Sequence, residues 1–230
     1  MIARVHSSGH SAGERGVELS VINDAPLRLV VLGDSIAYGT GAQQVRETVG
    51  PRLVRALERD GYDVDMQVLA VPGATSRDLA AQVRRAVSLG ADLALIVVGA
   101  NDLTRLVPPT QAAGALGAAV TALRAAGARV VVAPAPDLSD FPAIPPAIRP
   151  FVHQACLRLQ QQQAAATEAA GGVVAPVSAE LARVFAADPA LFSRDRYHPS
   201  SAGYARIADV LAPYIVAAAR DHGAVTTHRA

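Results

Sequence analysis

The sequence contains no lysine, and all 21 of its basic side chains are arginine. Without an amine, Schiff-base chemistry, pyridoxal-phosphate anchoring and the phosphate-gripping lysine of a P-loop are excluded. Tryptophan is also absent and aromatic residues make up only 4% of the chain, so the core must be built mainly from Ala, Val and Leu. A single cysteine, Cys156, rules out an intramolecular disulfide. The 21 basic residues face 20 acidic ones, for a net charge of +1, which leaves no surplus to neutralise a phosphate backbone. No nucleic-acid partner is expected. Long apolar runs are missing too: the stretch 91–100 is broken by Asp92 and falls far short of the roughly 20 residues that cross a bilayer, so no membrane span is expected. Residues 1–23 carry His, Ser, Gly and Glu without an apolar segment of the signal-peptide kind. A reduced, cytoplasmic protein is the expectation, unless the start codon is misassigned and a secretion signal lies upstream.

What the chain does have is a 51% hydrophobic, 18% charged composition over 230 residues, enough for one sizeable α/β domain. That domain is expected over 26–222, with flexible tails at 1–25 and 223–230. Apolar, β-branched runs at 27–32, 64–71, 93–98, 128–133 and 173–177 are five candidate strands, each nearly continuous in apolar residues, as strands buried on both faces are. Between them lie segments with helical spacing: Leu79, Val83 and Val87; then Leu116, Val120 and Leu123, with Gly127 placed to end the helix. Tyr204, Ile207, Leu211, Tyr214 and Ala218 mark a last amphipathic helix. Strands alternating with helices predict a mostly parallel sheet covered on both sides, with its ligand site at the carboxyl ends of the strands. One stretch breaks the rhythm: 134–150 holds six prolines and predicts a semi-rigid loop over one edge of the site.

Four strand-end or loop positions carry candidate chemistry. After the first strand comes Gly33-Asp34-Ser35, which places a serine in the crevice, although a turn or capping serine fits the same triplet. The dinucleotide fingerprint fails here, because Gly39-Thr40-Gly41 is followed at the third place by Gln44. After the second strand, Pro72-Gly73 offers a backbone N–H that a ligand can approach closely, or else a helix-entry loop capped by Thr75 or Ser76. The third strand ends at Gly99-Ala100-Asn101-Asp102, with a side-chain amide in the same crevice or simply a turn asparagine. Of the six histidines, His6, His10, His222 and His228 lie near the chain ends and His153 falls in a helical segment. His198 remains, in Asp195-Arg196-Tyr197-His198-Pro199. A carboxylate three residues before an imidazole can accept the Nδ1 proton and leave Nε2 outward, the tautomer a general base needs; a capping Asp beside a surface His is the rival reading. Metal binding is disfavoured, since Cys156 is isolated and no histidine pair in the folded body has ligand spacing.

These four stations, in this order over about 27–214, resemble the SGNH hydrolase superfamily, also called the GDSL esterase/lipase family. The resemblance implies a three-layer α/β/α sandwich of flavodoxin-like type around a five-stranded parallel sheet. It implies a catalytic triad of Ser35, His198 and Asp195, and an oxyanion hole made of the N–H groups of Ser35 and Gly73 with the amide of Asn101. Asp34 would brace the turn. The family often carries Asn two residues before the glycine of its second block, where this chain has Val71. Phe141, Ile144, Ile148 and Phe151, in the segment where relatives vary most, are candidate walls of an acyl or alcohol pocket, or seals for the edge of the sheet. The implied function is hydrolysis of small to medium acyl esters and thioesters through an acyl-serine, with a small-molecule ester as the partner and no cofactor. An acyltransferase with a sugar or other alcohol as acceptor is the alternative, followed by a non-catalytic binding module. Nothing in the sequence fixes the oligomeric state or the substrate.

Overall fold

The computed structural model describes residues 25–139, 141, 144–176 and 179–227. Within them five strands form one sheet, in the order β2-β1-β3-β4-β5, with every neighbouring pair parallel. The strands are β1 (Leu27–Gly33), β2 (Val64–Val68), β3 (Leu93–Val97), β4 (Arg129–Ala133) and β5 (Val173–Val174). Eight helices connect or flank them: α1 (Ser35–Tyr38), α2 (Val49–Arg59), α3 (Leu79–Ser88), α4 (Ala100–Thr104), α5 (Pro109–Ala125), α6 (Arg149–Ala169), α7 (Ala179–Ala187) and α8 (Ser201–Thr227).

Successive side chains of a strand point to opposite faces, and the central strands fill both. Leu29, Val31, Leu93, Leu95 and Val131 pack on one side with Leu53 and Leu57 of α2 and Tyr204, Leu211 and Ile215 of α8. Val30, Leu32, Ala94, Ile96, Val130 and Val132 pack on the other with Leu79 and Val83 of α3 and Leu116, Val120 and Leu123 of α5. The result is the three-layer α/β/α sandwich that the resemblance implies.

Several sequence expectations shift. β2 and β5 lie at the sheet edges, so β2 is only partly buried and β5 is two residues long, ended by Pro176. Val87 is exposed; the buried face of α3 is Leu79, Gln82, Val83 and Ala86. The proline-rich stretch is not a loop throughout, since Pro146–Ile148 form a 3-10 turn and α6 starts at Arg149. The expected C-terminal tail is helical through Thr227, because Gly223 is tolerated inside α8 rather than ending it. Residues 1–24 and 228–230 of the two expected tails lie outside the described residues. Gly127, with φ +96, does end α5, as its position predicts. No helix among the described residues is long and apolar enough to cross a membrane.

Candidate active site

β1 leaves the sheet at Gly33, whose backbone passes so close to β3 that a Cβ there would stand 1.8 Å from the Val97 carbonyl oxygen. Only glycine fits, at φ +131. The buried Gln82 of α3 holds the same residue from the side: the Gly33 N–H donates to its Oε1 at 2.7 Å, and its Nε2 donates to the Gly33 carbonyl at 2.9 Å. The amide thus supplies the acceptor for the Gly33 N–H and shares the Gly33 carbonyl with the Val71 N–H, which donates to it at 3.0 Å. Asp34 then caps α1, accepting from the Ile36 N–H at 2.9 Å. Ser35 opens this four-residue helix, 8% exposed at the carboxyl edge of the sheet. As the first helical residue it has an N–H with no intrahelical acceptor.

Asp34 is almost fully buried, and burial pushes its carboxyl up to about 6 against the hydrogen bonds it accepts from the Ile36 and Gly99 backbones. The Gly99 bond ties the serine turn to the end of β3.

The imidazole comes from a narrow loop before α8. Phe192 and Pro199 form an antiparallel bridge, the Ser193 N–H donates to the His198 carbonyl at 2.8 Å, and the Ser200 N–H donates to the Leu191 carbonyl at 2.8 Å. Inside that loop Arg196 takes a left-handed conformation, φ +58, uncommon for a side-chain-bearing residue. The turn brings Asp195 beneath His198, whose Nδ1 lies 2.6 Å from Asp195 Oδ2. Asp195 Oδ1 also accepts from the Ser193 hydroxyl and from the N–H groups of Tyr197 and His198. Burial alone would raise the Asp195 pKa; these bonds outweigh it and hold the carboxyl well below the usual carboxylate range. On the other side of the ring, His198 Nε2 is 3.0 Å from Ser35 Oγ. With Nδ1–H donating to Asp195, Nε2 is free to accept the serine proton.

The remaining two stations are joined to each other. The Asn101 Nδ2 donates to the Ala74 carbonyl at 3.0 Å, which fixes the amide beside the Gly73 loop and leaves its second hydrogen for a ligand. Arg105 Nη2 donates to the Gly73 carbonyl at 2.8 Å, and the Gly73 N–H has no partner among the described residues. The buried Asp102 accepts from the Ser76 N–H and hydroxyl at 3.0 to 3.2 Å, and desolvation raises its pKa despite those bonds. Gln163 of α6 acts on the far side of β3 as Gln82 does on β1, accepting from the Ala135 N–H at 2.8 Å and donating to the Val98 carbonyl at 3.0 Å.

The pocket residues expected from sequence divide. Phe141 lines an apolar cavity beside the serine, but Ile144, Ile148 and Phe151 do not. Ile148 and Phe151 are exposed, 45% and 77%, because the start of α6 turns them to solvent. The other walls, including Leu181 and Phe185 of α7, Phe192 and Tyr197, carried no motif in the sequence. Gln82, Asp102 and Gln163 were likewise missed as supports; Asp102 had the one available signal, its place directly after Asn101. His153 pairs with Asp137. Among the described residues no group of three or more His, Cys, Asp or Glu side chains could hold a metal.

A hydroxyl, an imidazole and a carboxylate thus lie in hydrogen-bond sequence at the carboxyl edge of a parallel sheet. The GDSL-like lipase/acylhydrolase family matches residues 31–206, most of the chain, and the chain belongs to that family. It is 41% identical over 189 residues to a GDSL-like esterase of Mycobacterium tuberculosis, a match that takes in 80% of this chain and spans about 60% of that curated relative. Its fold is shared by TesA (TM-score 0.64, 24% identity, 81% of this chain and 96% of that one). The same holds for an acetylxylan esterase from Geobacillus stearothermophilus, Axe2 (TM-score 0.67, 18% identity, 82% and 93%). Another similar structure is that of a psychrotrophic esterase, EstA from Pseudoalteromonas sp. (TM-score 0.63, 21% identity, 80% and 94%).

Proposed function

We propose that this protein is a serine ester hydrolase that cleaves small to medium acyl esters and thioesters through an acyl-serine intermediate. The observation that carries the reading is the unbroken chain from Ser35 Oγ to His198 Nε2 at 3.0 Å and from His198 Nδ1 to Asp195 Oδ2 at 2.6 Å. Membership of a family of lipases and acylhydrolases supports it, as does the similarity to a GDSL-like esterase.

In this mechanism Ser35 Oγ attacks the ester carbonyl carbon while its proton passes to His198 Nε2. Asp195 fixes the ring by its bond to Nδ1–H and stabilises the imidazolium that forms. Negative charge developing on the carbonyl oxygen is met by the N–H groups of Ser35 and Gly73 and by the amide of Asn101. Such donors are each worth roughly 10² to 10³ in rate. Collapse of the tetrahedral intermediate breaks the bond to the alcohol oxygen, which takes the proton from Nε2 and leaves. A water molecule then gives a proton to Nε2 as it attacks the acyl-serine, and the carboxylic acid departs with Ser35 restored. Asp34 and Gln82 hold the serine turn, and Asp102 and Gln163 hold the Asn101 turn, so the donors are oriented before substrate binds.

The test is turnover of p-nitrophenyl acetate and butyrate by the wild type, with Ser35→Ala and His198→Ala beside it. Wild-type turnover that is abolished in both variants, with unchanged circular dichroism, supports the assignment. Near wild-type rates in Ser35→Ala would remove it.

A further inference from the structure

The chain has only four phenylalanines, and three of them stand around one cavity. Phe185, Phe192, Phe141 and Tyr197 form a continuous series of edge-to-face contacts with ring centroids 5.3, 5.2 and 5.6 Å apart, and Tyr197 packs in turn on the His198 ring at 5.1 Å. A sequence so poor in aromatics has gathered them beside its reactive histidine. The cavity has a volume of about 80 Å³. Its wall reaches Ile36, next to Ser35, and Tyr197 and Pro199, on either side of His198. At its other limit stand Leu181, Ala182 and Phe185 of α7.

We propose that this aromatic-walled cavity receives an apolar, unbranched chain of the ester substrate, with Phe141 and Tyr197 at the neck and Phe185 at the floor. The proposal rests on the ester-hydrolase reading above and names what the same site selects. Two observations support it. The walls are hydrocarbon and aromatic surface. The charged side chain among them, Asp137, already has its oxygens engaged by the Ser139 N–H at 2.9 Å and by His153. The cavity therefore suits a chain of methylenes and lacks the array of polar partners that a sugar or a charged group needs. At roughly 10 to 15 Å³ of such space per atom-sized group, the volume accommodates about five to eight carbons. Specificity constants should accordingly rise by about fourfold per methylene up to hexanoate or octanoate length and then fall.

Two ester series locate the chain: p-nitrophenyl esters from acetate to decanoate, and acetates of alcohols from ethanol to octanol. Each is measured with wild type, Phe185→Ala, which deepens the floor, and Ala182→Leu, which fills it. The expected result is a length optimum in one series, moved two or more carbons longer by Phe185→Ala and shorter by Ala182→Leu. The series that responds tells whether the acyl or the alcohol chain enters. Should Phe185→Ala fail to fold, Ala182→Leu alone carries the test through the ratio of octanoate to acetate kcat/KM, which should fall by tenfold or more. No length optimum in either series, or an optimum unmoved in folded variants, would overturn the proposal. Covalent labelling of Ser35 by a small methylphosphonate fluoride separates the two levels. Labelling with unmoved optima defeats the pocket alone, whereas absence of labelling and of all turnover defeats the ester-hydrolase reading and the pocket with it.

Discussion

Gly41 lies directly against His198. A Cβ on Gly41 would come within 3.0 Å of the His198 Cβ and within 2.5 Å of the Pro199 carbonyl oxygen, and the residue sits at φ +95. The segment after α1 thus packs directly against the histidine loop.

Gly41→Ala should therefore displace the histidine loop without disturbing the sheet. Because a displacement of about 1 Å can cost on the order of 10² in rate, kcat should fall by about one to two orders of magnitude. The unfolding midpoint should move only modestly. Steady-state kinetics and a thermal melt on the same preparation check both, and an unchanged kcat would show that the contact does not position the ring.

Asp34 gives a stability-versus-pH signature. Its folded-state pKa of about 6 is raised above its ordinary value of 3.8 by burial, so the folded state holds the proton more tightly than the unfolded chain does. The stability this contributes is fully present below pH 3.8 and is lost as pH rises toward 6. Asp34→Asn, which cannot ionise, should escape that loss. Relative to the variant, the wild type should lose up to about 3 kcal/mol between pH 4 and 7, readable from urea unfolding at each pH. Parallel curves would show that the carboxyl is not desolvated in solution.

Asp195 has the opposite sign. Its pKa is depressed in the folded state, so its contribution to stability is present above the ordinary carboxylate range and fades as pH falls through it. Asp195→Ala should flatten the acid side of the stability curve. It should also lower kcat by about two to four orders of magnitude, with folding intact, because the imidazole loses the partner that fixes its tautomer.

Gln82→Ala should be costly for its size. Removing the side chain leaves the N–H of Gly33 buried without a partner, at roughly 1 to 3 kcal/mol, and leaves its carbonyl with the Val71 N–H alone. A fall of several degrees or more in the unfolding midpoint, with reduced kcat, is the expected outcome. Gln82→Glu keeps the acceptor for the Gly33 N–H and should lose less than Gln82→Ala.

The central strands were legible because burial on both faces forces continuous apolar runs, and β1, β3 and β4 fall within a residue of their expected bounds. The edges were not. β2 reads Val-Asp-Met-Gln-Val and is half-exposed, so the apolar run that continues to Val71 outlasts the regular strand. Val87 illustrates a limit of spacing arguments: each step of four residues overshoots a helical turn by about 40°, so Leu79, Val83 and Val87 drift around the helix and the third faces solvent. Ser35, Asp195 and His198 could be singled out because their chemistry needs particular residue types in order along the chain. The structure brings those three side chains into one hydrogen-bonded sequence. Apart from Phe141, the pocket walls were not legible, since Phe185 and Phe192 reach the cavity only through the packing of α7 and the histidine loop. The glutamine clamps were hidden for a related reason, because a buried Gln on a helix carries no local mark of the backbone it will hold.

The most direct test of the central claim is covalent labelling with a fluorophosphonate, followed by peptide mass spectrometry. The account predicts one equivalent of label on Ser35, lost in His198→Ala as well as in Ser35→Ala, because the hydroxyl reacts only when His198 accepts its proton. Label on another serine, or equal labelling of Ser35 in His198→Ala, would contradict it.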